Sequence, residues 1–505
     1  LCNRRSLRRR FERFGKTANA TNHTQTAMHS KLTRRTFLTS AAALAARSQT
    51  PPPRPPNIVL VMTDDQGYGD IACLGNHVVK TPNLDKLHAE SRRFTDFHVS
   101  PTCAPTRTAL LTGRHEFRSG VTHTIFERER MSLQSTTLAQ VLQSAGYSTG
   151  IFGKWHLGDA DDWQPQKRGF SESFIHGCGG IGQDYPGTCS DAPGNTYFDP
   201  VIRHNGAFER TKGFCTDVFF GQALQWIEKQ KSPNQPFFAY ITPNAPHAPL
   251  FCPDEYKRMY AGQGLDDATQ TYFGMVTNID DNVGKLVSRL NAWGLDRNTL
   301  LIFMTDNGGT GGVKVFNAGM HGAKGTPWNG GTRVPAFFRW TGQIEPGDAT
   351  QLAAHIDLLP TLAELAGAKI PVGIKLDGRS LVPVLRNAQA AWEDRFLFTH
   401  VGRWEKGKAA ESQYAQCSVR SAQYTLVNTT REKQWQLFDL QADPGEKKNI
   451  ASEKPDVVSH MDSAYSKWWK EILPALSNED APTPPIAPYK VAYWKQFGGG
   501  PGVVK

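Results

Sequence analysis

The chain has 505 residues, 39% of them hydrophobic, with 57 Lys+Arg against 47 Asp+Glu and a formal net charge of +10. That length buries a large core and favours division into two domains. Residues 1–47 hold eleven Lys/Arg and one acid, Glu12, leaving 46 basic and 46 acidic residues in the remainder, so no nucleic-acid-binding face is expected on the folded body.

The leader comes first. Thr33-Arg34-Arg35-Thr36-Phe37-Leu38, a short apolar run at 39–46 and Ala43-Leu44-Ala45 resemble a bacterial twin-arginine export signal. Met28 is the expected start, residues 1–27 are expected to carry no fold, and Pro51 to Pro56 reads as a stiff linker. No later stretch has the ~20 unbroken apolar residues of a membrane span. An exported protein, periplasmic or extracellular, is therefore expected. The eight cysteines are too scattered for a disulfide framework, although Cys178 and Cys189 bracket a Gly-rich loop and are candidates to pair.

The apolar run at 57–62 reads as a buried parallel strand ending at Thr63-Asp64-Asp65. Next, Cys103-Ala104-Pro105-Thr106-Arg107 opens a helix, since Pro105 suits a first turn. Cys103 then lies at a helix N-terminus with Arg107 one turn on, where the dipole and the guanidinium both favour negative charge. A small buried core cysteine is the plainer alternative.

The strand grammar of 57–65 recurs three times. Residues 149–152 lead to Lys154 and His156, 237–242 to His247, and 300–305 to Asp306-Asn307. Helices are expected at 137–145, 219–231 and 267–292, the last with Met275, Ile279, Val283, Leu286 and Leu290 along one core-facing stripe. This alternation predicts an α/β fold, a large mostly parallel sheet sandwiched by helices. Residues 158–218 and 308–331 read as long loops that wall a site, with specificity expected in 158–216 and 308–322, and a helix opens at His355. Beyond Leu385, short strands at 396–400, 415–419, 424–427 and 434–439 precede a helix at 457–473. That predicts a smaller C-terminal antiparallel sheet plus helix, with an irregular tail from Ala481. The expected division is thus 1–56 leader, 57–385 catalytic domain and 386–505 smaller α+β domain.

Open α/β sheets gather ligands beyond the carboxyl ends of their strands. Asp64, Asp65, Asp306 and Asn307 are hard oxygen donors at such ends, a set that suits Ca²⁺, with Mg²⁺ as the alternative. Arg107, Lys154, His156, His247 and Lys324 face them and form a cradle for sulfate or phosphate.

These residues carry a resemblance. Cys103-Ala104-Pro105-Thr106-Arg107 with Thr112-Gly113-Arg114 resembles the signature of the formylglycine-dependent sulfatases, within the alkaline phosphatase superfamily. Gly153-Lys154-Trp155-His156-Leu157-Gly158, Pro246-His247, Thr305-Asp306-Asn307 and Lys324-Gly325 are similar to the family's other blocks, in order. Leu437-Phe438-Asp439-Leu440 resembles part of its C-terminal domain. One departure is Asn329, where relatives usually have Glu, and it puts local support for Lys324 in doubt.

The resemblance implies an alkaline phosphatase-like fold and an arylsulfatase-type hydrolase of aryl sulfates or sulfated carbohydrates. It implies that a maturation enzyme oxidises Cys103 to Cα-formylglycine before export by the twin-arginine machinery. The metal set would be Asp64, Asp65, Asp306 and Asn307 with the modified Cys103. Arg107 would hold the nucleophile, Lys154 and Lys324 the sulfate oxygens. His247 would protonate the departing alcohol, and His156 would take the proton that frees sulfate. The nearest rival is a phosphonate or phosphate-ester hydrolase on the same scaffold. The non-enzyme rival is an exported glycan-binding protein without turnover.

Overall fold

The computed structural model describes residues 54–125, 127–177, 179–183, 190–232 and 234–501. The twin-arginine segment and the Cys178–Cys189 pairing lie outside the described residues. Among those described, no helix is long and apolar enough to cross a membrane.

The strands in chain order are β1 (Asn57–Thr63), β2 (Arg92–Phe94), β3 (Phe97–His98), β4 (Ser148–Lys154), β5 (Glu172–His176), β6 (Val201–His204), β7 (Ala207–Arg210) and β8 (Phe237–Thr242). They continue with β9 (Thr299–Thr305), β10 (Ala336–Arg339), β11 (Gly347–Ala349), β12 (Ala353–Ala354), β13 (Leu397–His400), β14 (Cys417–Arg420), β15 (Tyr424–Asn428) and β16 (Gln436–Asp439). Ten of them form one sheet in the order β11-β2-β10-β9-β1-β8-β4-β5-β6-β7. Its centre, β9-β1-β8-β4-β5, is parallel throughout. β10 joins β9, and β6 and β7 follow β5, antiparallel.

β1 shows why the sheet is covered twice. Ile58, Leu60 and Met62 enter the core under the Cys103–Thr112, Leu138–Ser144 and Leu358–Ala366 helices. The alternate residues Val59 and Val61 enter the core under Cys215–Lys229 and Asp267–Ala292. Every residue of β1 is buried, as a two-sided parallel sheet requires. The 26-residue helix Asp267–Ala292 has the expected bounds, and Asp266 caps it by accepting the Thr269 N–H at 2.8 Å.

Two expectations need correction. Residues 158–218 are not one loop, because β5, β6 and β7 lie within them and extend the sheet. These strands are four or five residues long with Gly, Asp and Pro in the stretches between them, so the successive pairing of β4 with β5, β5 with β6 and β6 with β7 holds them more than local sequence does. The tail from Ala481 is not irregular throughout, since Pro488–Phe497 is a helix. It has tertiary support: Tyr489 Oη donates to Ile175 O at 3.1 Å, while the Gln496 amide both accepts from and donates to the Phe208 backbone at 2.7 Å. The Gln496 side chain thereby fills the place of a neighbouring strand along the open edge of β7.

β13 to β16 form a four-stranded antiparallel sheet packed by the Pro455–Ile472 helix. Its hydrophobic cluster of Val419, Leu426, Leu437, Tyr465 and Trp469 is separate from the two that flank the large sheet.

Candidate active site

Strand register places the site. Thr63 pairs with Thr305, so Asp64-Asp65 and Asp306-Asn307 leave adjacent strands side by side. β8 lies on the other flank of β1 and β4 beyond it, delivering His247, Lys154 and His156 to the same edge. The helix Cys103–Thr112 points its first residue at this edge, and all ten of its residues are buried.

Ion pairs then interlock. Lys154 Nζ is 2.5 Å from Asp64 Oδ2, Arg107 Nη2 is 2.8 Å from Asp306 Oδ2, and Lys324 Nζ is 2.5 Å from Asp65 Oδ1. Asn307 Nδ2 donates to the same Asp65 oxygen at 2.9 Å, and His247 Nε2 stands 3.8 Å from Asp65 Oδ2. Arg107 also donates to Lys154 O at 3.1 Å and to Thr242 Oγ1. Buried charges without such partners would neutralise.

The electrostatics follow the crowding. Burial alone would raise Asp65, but Lys324 and then His247 hold it well below the usual carboxylate range. Asp306 is pushed up to about 6 by burial and by Asp64 beside it. Burial alone would lower Lys324, and Asp65 holds its value up. Two ligand groupings stand out: Asp64, Asp65 and His247, and Asp64, Cys103 and Asp306, each with ligand atoms within 4.8 Å of one another. Asp64 Oδ1 and Asn307 Oδ1 are buried without a hydrogen-bond partner. Orphaned hard oxygens among crowded carboxylates fit a divalent oxygen-seeking cation.

Each imidazole is oriented by a carbonyl. His156 Nε2 lies 3.1 Å from Thr124 O, so it must donate there, which leaves Nδ1 as acceptor, buried and without a partner. Burial, then Lys154 and Arg107, keep that ring neutral. His247 Nδ1 lies 2.6 Å from Ala248 O and leaves Nε2 toward Asp65. Burial pushes His247 down to about 4.

The structure therefore brings Asp64, Asp65, Cys103, Arg107, Lys154, His156, His247, Asp306, Asn307 and Lys324 to one place. At the departing position, the Asn329 N–H donates to Glu446 Oε2 at 3.0 Å, so a carboxylate reaches that turn from the C-terminal part. Thr242 and Thr124 were not singled out in the sequence, and neither were Gly179 and Gly180. A Cβ on Gly179 would lie 3.0 Å from His156 Cε1, and one on Gly180 3.4 Å from His247 Nδ1. This glycine pair backs both rings, and no local motif announces it.

Comparison with known proteins points one way. The family model described as Sulfatase matches residues 56–368, and that described as N-sulphoglucosamine sulphohydrolase, C-terminal, matches 323–469. Arylsulfatase A of Homo sapiens is 32% identical over 447 residues, 81% of this chain and 86% of that protein. N-acetylgalactosamine-6-sulfatase of Mus musculus is 30% identical over 462 residues, 84% of this chain and 88% of that protein. The crystal structure of Ps i-CgsB in complex with k-i-k-neocarrahexaose superposes with a TM-score of 0.74 at 28% identity, covering 88% of this chain and 97% of that one.

Proposed function

The chain belongs to the sulfatase family and is a sulfuric ester hydrolase, and from that premise we propose that its nucleophile is a formylglycine made from Cys103, beside a Ca²⁺ or Mg²⁺ held by Asp64, Asp65, Asp306 and Asn307. The observation that carries this reading is Cys103 at a helix N-terminus with its Sγ among the Asp64 and Asp306 oxygens, all within 4.8 Å. The bound cation would neutralise the carboxylates and polarise the oxygens it touches. Formylglycine would supply a hydrate whose second hydroxyl lets sulfate leave by elimination.

The chain's own residues do the rest. Lys154 and Lys324 bind the sulfate oxygens and stabilise charge that builds during transfer. Arg107 fixes Asp306 and the end of β4 together, and Asp306 takes up a proton beside residue 103. The departing alcohol takes its proton from the His247 and Lys324 side of the site, where the charged Lys324 carries one, and His156 Nδ1, free to accept, takes the proton that releases sulfate.

The substrate is an aryl sulfate or a sulfated carbohydrate. The N-acetylgalactosamine-6-sulfatase relative and the oligosaccharide complex favour the second. Modification of Cys103 by a maturation enzyme, export through the twin-arginine machinery and a periplasmic or extracellular bacterial setting complete the reading, on the strength of Arg34-Arg35 and the run after it. A boundary near residue 385 has the support of the separate C-terminal cluster.

Mass spectrometry of the Cys103 peptide, from protein made with a maturation enzyme, tests the reading. The expected species carries an aldehyde in place of the thiol, and Cys103→Ala turns over no p-nitrophenyl sulfate. An intact thiol in fully active protein would overturn it.

A further inference from the structure

Arg403 is an exposed residue between buried ones: Val401, Gly402 and Trp404 are all buried. Gly402 is pressed onto a backbone, since a Cβ there would lie 1.9 Å from Thr122 O. Trp404 is fixed at both ends, its carbonyl accepting from Arg128 Nη1 and its Nε1 donating to Glu479 Oε2, each at 2.6 Å. Arg403 itself has φ 57°, in the left-handed region. A residue with a Cβ keeps that conformation only where its surroundings impose it.

The clamp brings the guanidinium beside the turn that follows Lys324. Arg403 Nη1 lies 3.9 Å from the position a Cβ on Gly325 would take, one residue after Lys324. His123 is near as well: burial, then Arg403 and Arg128, push its imidazole down to about 3. Thr124, which follows His123, is the residue whose carbonyl orients His156. No carboxylate pairs with Arg403 among the described residues, although acids partner most of the site's other cations.

Resting on the sulfatase reading, we propose that Arg403 binds a second oxyanion of the substrate, a carboxylate or a further sulfate carried beside the sulfate that is cleaved. A planar guanidinium presents paired N–H donors that match such a group. An unpaired, pre-positioned one has no internal acid to release before it binds. The preferred substrate is then a polyanionic saccharide.

The test uses four substrates: p-nitrophenyl sulfate, a monosulfated disaccharide with no other charge, the same disaccharide with a carboxylate, and the same with a second sulfate. Arg403→Asn removes the charge with a side chain that tolerates the left-handed region, and Arg403→Lys keeps the charge without the fork. In the wild type, kcat/KM should be higher for one or both doubly charged disaccharides than for the singly charged one, and the preferred arm identifies the oxyanion. R403N should cut that preference about tenfold or more, R403K should cut it less, and added salt should weaken what preference remains in the wild type and in R403K but not in R403N. The preference is a ratio within one protein, so a general loss of folded enzyme does not move it. An unchanged ratio in R403N, or a wild type that cleaves p-nitrophenyl sulfate and gains nothing from a second anion, would overturn the proposal. Failure on p-nitrophenyl sulfate and every saccharide would instead overturn the sulfatase reading.

Discussion

Lys154 Nζ lies 2.5 Å from Asp64 Oδ2, and neither side chain has any exposed surface. Removing one partner of a buried pair leaves an uncompensated charge, typically at a loss of about 3–5 kcal/mol. Lys154→Ala should lower the urea midpoint accordingly and abolish turnover. Added Ca²⁺ should recover part of the stability and none of the activity, because the cation neutralises Asp64 without replacing the sulfate contact. An unchanged midpoint would mean that Asp64 is compensated elsewhere.

Metal removal should be visible without any substrate. A chelator should lower Tm and Ca²⁺ restore it, since a ligand at 100 times its Kd stabilises by about 2.7 kcal/mol. Asp64→Asn combined with Asn307→Ala removes one carboxylate charge and one oxygen-donor side chain and should erase the Ca²⁺-dependent shift. A shift that survives in the double variant would place the cation elsewhere.

His156→Gln should slow steady-state turnover by about 100-fold or more, the usual range for a lost general base. Because the ring acts after the alcohol has left, rapid mixing should show one equivalent of alcohol before the slow phase. Gly179→Ala should give a milder form of the same defect, as its Cβ would meet His156 Cε1 at 3.0 Å. Equal slowing of both phases would move His156 to the first half of the reaction.

Glu129 makes a pH-dependent contribution away from these groups. Burial, then the Asp159 carboxylate, push it up to about 8 from an ordinary 4.5. The folded state therefore holds a proton that the unfolded chain releases, so this stabilisation is full below about 4.5 and is lost as pH rises through 8. Glu129→Gln keeps the neutral shape and removes the titration. Its Tm advantage over wild type should grow between pH 5 and pH 9, checked by thermal melts across that range, and a constant difference would show Glu129 already ionised.

The reacting groups were legible in sequence because β1, β4, β8 and β9 each end in a polar run directly after an apolar one. The groups that orient them were not. Thr124 acts on His156 through a backbone carbonyl, which any residue type supplies. Arg403 comes near Gly325 only through the tertiary fold, with Gly402 seated on Thr122. β6 and β7 were hidden for a related reason, since four-residue strands carry too few positions to show a period. The Pro488–Phe497 helix sat among Pro- and Gly-rich flanks that outweighed its ten residues.

The Gln496 amide that covers the Phe208 backbone is made 288 residues after it. At about 5–20 residues per second, a ribosome needs roughly a quarter to one minute to bridge that gap. For that time the nascent chain has no Gln496 to cover the rim of its largest sheet, and such rims recruit other strands. The rim is therefore open in wild type and Gln496→Ala alike while the chain is being made, and Gln496→Ala should keep it open afterwards, raising the association of the purified, finished molecule in a concentration-dependent way.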